Sequence, residues 1–145
     1  MRARVVIDTS TLVSAILLPD SVPDRALRKA LAECELCVSS ETFAELKAVL
    51  GRSKFDRYAQ PALRQKFIDA LRLDCRFFSV PKLEGVCRDA DDDKFLALAL
   101  TAQAGLIVSS DDDLLALHPW RGIPIITPGD FLTRLQPAIE SPENE

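Results

Sequence analysis

The sequence predicts an α/β fold: a three-layer α/β/α sandwich around a mostly parallel sheet of four to five strands. Three observations predict it. Short apolar runs bounded by turn residues alternate with capped helical stretches along the chain. Such alternation marks βα units, whose crossover helices cover both faces of a parallel sheet. The chain has 145 residues, 48% of them hydrophobic, which suits one domain with one core. No internal repeat or linker divides it. Residues 1–135 are therefore read as one domain, and the Pro- and Glu-rich tail "QPAIESPENE", residues 136–145, as disordered.

The first strand is "ARVVID", Ala3–Asp8, an apolar run ending in a polar turn. Thr9–Leu18 continues apolar and reads as a helix below that strand. The next helix opens at "SVPD", with Ser21 as N-cap, Pro23 in the first turn and Asp24 three after the cap. "ELCVSS" is the second strand. "SSETFAELKAVLG" is a helix with Ser40 as cap, Phe43, Leu46 and Leu50 on one face, and Gly51 as its stop. Pro61 opens another helix, with Leu63, Phe67, Ile68 and Leu71 as the buried stripe. Cys75–Val80 is a strand, Asp92–Ala104 a helix stopped by Gly105, and "LIVSS" the next strand. A short helix over Asp113–Leu117, the strand "IPIIT" and a last helix "PGDFLTRL" complete the order.

The apolar run Leu12–Leu18 is too short to span a bilayer, and no basic leader precedes it. A cytoplasmic location with no membrane partner is expected. Four cysteines, Cys34, Cys37, Cys75 and Cys87, fit a reducing compartment. Cys34 and Cys37 have CxxC spacing, but the second CxxC of a zinc site is missing. Reduced, mostly buried thiols are expected.

The formal net charge is −4, which excludes a whole-molecule basic field for nucleic acid. The charge is nevertheless uneven. Residues 47–66 hold Lys47, Arg52, Lys54, Arg57, Arg64 and Lys66 against Asp56 alone. Residues 89–113 hold seven Asp against Lys94 alone.

In an open α/β sheet, ligands bind beyond the carboxyl ends of the strands. Asp8 ends the first strand and Asp111 follows "LIVSS". Asp93 lies in the first turn of its helix, and Glu45 flanks the buried stripe of its own. Four acids from four elements can thus meet at one edge. Converging carboxylates repel unless a cation neutralises them, and an all-oxygen set suits Mg²⁺ or Mn²⁺. Such ions activate water and stabilise a phosphoryl transition state, so a phosphodiester is the implied substrate. An Asp at a helix N-terminus also favours the helix dipole without any further role. Asp89, Asp91, Asp92 and Asp112 are read that way, as capping or solvated charges. Asp8 is not, because no amphipathic stripe after it calls for a cap.

The segments "VVIDTSTLVSAIL", "SSETFAELKAVLGRSKF", "CRDADDDKFLALAL", "LIVSSDDDLLAL" and "IPIITPGDFL" resemble, in order and over nearly the whole chain, the PIN-domain family. The likeness is to its single-domain members, the VapC-like toxins of bacterial toxin–antitoxin pairs. The resemblance implies a parallel α/β/α sandwich and a Mg²⁺- or Mn²⁺-dependent endoribonuclease. It places the family's acids at Asp8, Glu45, Asp93 and Asp111, with Asp113 as an auxiliary. It also implies a small antitoxin partner and self-association as a homodimer or higher oligomer. Two positions depart from the family pattern: Ser10 where Asn is frequent, and Ser109 where Thr is common. Both keep a small hydrogen-bonding group beside the acids.

The basic stretch "LGRSKFDRYAQ" is a candidate RNA track, with Arg52, Lys54 and Arg57 on phosphates. Phe55 and Tyr58 there are either base-stacking residues or core or dimer contacts. The single histidine, His118, excludes a histidine acid–base pair, and no Gly-x-Ser-x-Gly turn supports a serine hydrolase. A dehalogenase-type phosphatase would want Asp where Ser10 stands. A PIN fold that only binds RNA or a partner is the non-enzymatic alternative.

Overall fold

The computed structural model of the protein describes residues 2–82 and 90–134. Cys87, Asp89 and the tail 136–145 lie outside the described residues. The strands are β1 (Ala3–Ile7), β2 (Cys34–Ser39), β3 (Cys75–Phe78), β4 (Leu106–Val108) and β5 (Ile125–Ile126). They form one sheet in the order β3-β2-β1-β4-β5, and all four pairings are parallel. The helices are α1 (Thr9–Leu17), α2 (Val22–Glu33), α3 (Ser40–Leu50), α4 (Pro61–Asp74), α5 (Asp93–Ala102), α6 (Asp112–Leu115) and α7 (Pro128–Thr133). The expected α/β/α sandwich is therefore present, with five strands.

Side-chain alternation explains the layers. Val5, Ile7, Leu36, Val38, Leu106 and Val108 face one cluster, which they share with α1, α2, α3, α4 and α7. The intervening Val6, Cys37 and Ile107 face the other, with Phe95, Leu96 and Leu98 of α5 and Leu114 of α6. The period of two along each strand thus divides one chain between two cores. Parallel strands need crossovers, and these are the helices. Leu46, Leu50 and Leu96 are essentially inaccessible to solvent; truncating any of them to Ala should cost about 2–5 kcal/mol.

Some local expectations shift. The cap of α3 is Ser39 rather than Ser40: its hydroxyl accepts from the Thr42 N–H, and Thr42 returns a contact to the Ser39 N–H. In α4, Leu63 and Phe67 are exposed, at 48% and 46%, and the inward positions are Arg64, Ile68 and Leu71. Arg64 is held inside by its environment. It donates to the carbonyls of Leu50 (2.6 Å), Arg52 (3.2 Å) and Ala59 (2.9 Å), and it pairs with Asp56. It ties the α3–α4 connection shut, so one of the six cations in the basic stretch is structural. Strands β3 and β5 are shorter than their apolar runs, and α6 begins at Asp112.

Cys34 and Cys37 are buried and Cys75 is partly so. Burial pushes the Cys37 thiol up to about 11 and the Cys75 thiol up to about 12. Such thiols are neutral and poor nucleophiles. No described helix is long and apolar enough to cross a membrane.

Candidate functional site

The sheet order reverses direction at β1. From β1 the chain builds outward through β2 and β3, then crosses back to lay β4 and β5 on the other side. The carboxyl ends of β1 and β4 therefore flank a topological switch point, where open α/β sheets hold ligands. Register pairs Ile7 with Val108, so the residues that follow, Asp8 and Ser109, emerge side by side.

Asp8 is buried, at 3% exposure. One carboxylate oxygen accepts the Thr11 N–H at 3.1 Å, which makes Asp8 the N-cap of α1. The other accepts the Ser109 hydroxyl at 2.5 Å. Asp8 thus does cap a helix, contrary to the sequence expectation. The apolar character of α1 hid this, because α1 is buried over most of its surface and shows no stripe. Burial pushes the Asp8 carboxyl above the usual range, and the negative charge of Asp111 adds to the push. Hydrogen bonds from Ser109 and Thr11 resist it.

Ser109 joins the two strand ends. Besides donating to Asp8, its Oγ accepts the Asp111 N–H at 2.9 Å. Asp111 is the N-cap of α6 and accepts the Asp113 N–H at 2.9 Å. Thr11 Oγ1 and Ser110 Oγ, 3.0 Å apart, close the same edge. Ser109 therefore positions both strand-end acids.

Asp92 is the residue the sequence reading missed. Taken there for a cap or a solvated charge, it is buried at 9% and makes no side-chain cap on α5. Its carboxyl hydrogen-bonds Asp111, and this contact is the main cause holding the Asp111 carboxyl below the usual range. A 3₁₀ turn over Ala90–Asp92 leads into α5, and nothing in the sequence marked which of the adjacent acids it would bury. Asp93 is buried too, at 3%, in the first turn of α5. Asp91 and Asp112 are exposed, as expected of solvated charges.

Glu45 reaches the site from α3. One oxygen accepts the Thr9 hydroxyl at 2.7 Å, next to Asp8 in sequence, and the other lies 3.6 Å from Lys94 Nζ. The structure therefore joins Asp8 to Asp111 through Ser109, joins Asp111 to Asp92, and sets Glu45 beside Thr9 and Lys94. Asp113 stands behind Asp111 on α6. Asp8 and Asp111 have no cationic partner among the described residues.

Among the described residues, no three Asp, Glu, His or Cys side chains are already gathered around a point that could hold an ion. Asp92 meets Asp111 there, and the Lys94 ammonium meets Glu45. The donor set is all oxygen, one member is a buried carboxylate, and a hard divalent cation fits that chemistry.

Ser10 is exposed. It lines a groove of about 320 Å³ with Arg52, Lys54, Phe55 and Tyr58. Arg52, Lys54 and Arg57 are exposed, and Arg57 lies over the Tyr58 ring and donates to its hydroxyl. Phe55 packs partly on the core, whereas Tyr58 is 47% exposed. His118 is a structural residue whose Nδ1 accepts the Ile125 N–H at 2.9 Å.

A family model described as PIN domain matches residues 4–113, most of the chain. The chain belongs to the PIN-domain family. A relative, uncharacterized protein MJ1680 of Methanocaldococcus jannaschii, is 29% identical over 127 residues, covering 81% of this chain and 77% of its own length. Among solved structures, this PIN-domain chain is similar to VapBC2 from Rickettsia felis bound to a DNA fragment from their promoter. There the TM-score is 0.59 at 13% identity, over 86% of this chain and 98% of that one. At that identity the likeness is one of fold.

Proposed function

We propose that this PIN-domain protein is a metal-dependent endoribonuclease, the toxin of a toxin–antitoxin pair. The observation that carries the reading is the buried Asp8 carboxylate at the switch point, bridged by Ser109 to Asp111, with Asp92 drawn onto Asp111. Burying a carboxylate without a cationic partner is costly, so its retention favours a site built for a cation. Membership of the PIN family and the fold likeness to VapBC2 support the toxin assignment. They likewise support a small antitoxin as partner.

Asp8, Asp93 and Asp111 would hold Mg²⁺ or Mn²⁺, with Asp113 completing the site, Asp92 beside Asp111, and Glu45 lining the same site against Lys94. Bound there, the ion acidifies a water and offsets charge on the phosphoryl oxygens. The chain's own residues supply the rest. Ser109 and Thr11 fix both oxygens of Asp8. Thr9 fixes Glu45, so the acids need little rearrangement as substrate arrives. Carboxylates not engaged by a cation can accept the proton that the attacking water releases. Arg52 and Lys54, along the groove from Ser10, would hold the RNA backbone, and Arg57 would extend that track.

The test is cleavage of RNA by purified protein with Mn²⁺, with EDTA, and with D8N. Cleavage that requires Mn²⁺ and disappears in D8N is expected. Cleavage surviving both EDTA and D8N would overturn the assignment. RNA binding without cleavage would favour the non-catalytic binding module instead.

A further inference from the structure

Lys94 is the only basic residue among the acids of residues 89–113, and it does not point into water. Its side chain is 13% exposed. Its ammonium lies 3.6 Å from Glu45 Oε2, donates to the Asp91 carbonyl, and sits 5.5 Å from the Phe95 ring centre. An unconstrained lysine at this position would be expected to swing outward. It stands in the first turn of α5, the positive end of the helix dipole, where a cation is disfavoured. Something at the site outweighs that, and Glu45 is the acid it meets.

The charges of the site thereby divide in two. Glu45 is satisfied by a hydroxyl on one oxygen and an ammonium on the other. Among the described residues, Asp8 and Asp111 have only hydroxyl, amide and carboxyl contacts. Phosphodiester sites with two ions use the second to balance charge on the oxygens of the displacement. A lysine ammonium is a compact point charge suited to that purpose. We infer that Lys94 supplies the second positive charge of this site, at Glu45, so that the chain takes one divalent ion at Asp8 and Asp111 rather than two. This rests on the metal-nuclease reading above and specifies how that site is charged.

Counting ions tests it without substrate. Metal-free wild type, K94Q and K94R are titrated calorimetrically with MnCl₂ at constant ionic strength, each checked for a wild-type circular dichroism spectrum. K94M, which keeps the apolar stem, replaces K94Q if that variant unfolds. The expected result is one Mn²⁺ per chain for wild type and K94R, and two for K94Q or K94M. Two ions in wild type overturn the role of Lys94 and leave the metal site standing. One ion in the neutral variants, with unchanged affinity, does the same. No Mn²⁺ bound by wild type overturns the metal-nuclease reading itself, and this inference with it.

Discussion

Asp8 carries two duties that substitution can separate. It caps α1 through the Thr11 N–H and offers its other oxygen to the buried Ser109 hydroxyl. D8N keeps an oxygen for the cap and a polar group facing Ser109, but removes the charge. D8A removes all three. Loss of an N-cap costs about 1 kcal/mol. The side-chain amide of D8N can still donate to the Ser109 Oγ, and losing that buried hydrogen bond in D8A costs about 1–2 kcal/mol more. D8A should therefore be about 2–3 kcal/mol less stable than D8N, and at roughly 3 °C per kcal/mol for a chain of this size it should melt ~6–9 °C lower. Both variants should lose Mn²⁺ binding and cleavage. Thermal melts of the two proteins in EDTA, beside Mn²⁺ titrations, make the comparison. If they melt within a degree of each other, the capping geometry is not contributing and the reasoning fails.

Burial of Asp8 sets the pH behaviour, and the same pair of hydrogen bonds opposes it. Asp8 ordinarily titrates near 3.8, and burial raises it in the folded chain. A raised carboxyl binds protons more readily folded than unfolded. Its protonated form therefore adds stability that is fully present below the ordinary value and is lost as pH rises through the raised one. In EDTA, wild type should gain stability relative to D8N on acidification towards that value. A gap independent of pH would show that the Asp8 charge costs nothing in the fold.

Three further outcomes follow from individual contacts. R64M breaks a buried guanidinium's bonds to three carbonyls and to Asp56, and should cost about 3–5 kcal/mol in urea unfolding; a loss below about 1 kcal/mol would show that the α3–α4 connection holds without it. T9V removes the hydroxyl on Glu45 and should weaken Mn²⁺ binding about tenfold by titration while the fold is kept. An unchanged affinity would place Glu45 outside the site. R52A with K54A should lower RNA affinity and flatten its salt dependence by roughly 1.4 in log–log slope, two phosphate contacts at about 0.7 each. An unchanged slope would send the RNA elsewhere.

The fold was readable because two periodicities were clean. Val5, Val6 and Ile7 are all apolar, which is what a strand covered on both faces requires, and Ser21, Pro23 and Gly51 punctuate the helices where expected. The errors arise where a local rule met a tertiary demand. Leu63 and Phe67 fit a helical stripe, yet Arg64 between them is the buried residue. Its head finds three carbonyls, one at the end of α3 and two in the connection that follows, which no helical pattern describes. Ser39 and Ser40 are equivalent as sequence; only the end of pairing at Ser39 with Phe78 decides which one caps.

The acidic runs show the limit most sharply. Helix onset set Asp93 apart in the sequence but treated Asp91 and Asp92 as solvated neighbours of one kind. A regular α-helical start at Asp91 would spread them around the N-terminus, and at most one would face the sheet edge. The 3₁₀ turn over Ala90–Asp92 is wound more tightly; it turns two successive residues, Asp92 and Asp93, to the interior and leaves Asp91 in water. Lys94, next in line, then lies on the side of α5 that packs against α3, where Glu45 meets it. One altered turn therefore sets which acids enter the crevice and which cation accompanies them. That turn packs on α5, which in turn packs against α3, an element far earlier in the chain. The family resemblance could name the acids near this edge. Their pairing with a hydroxyl, a second carboxyl or an ammonium depends on the packing of elements far apart in sequence.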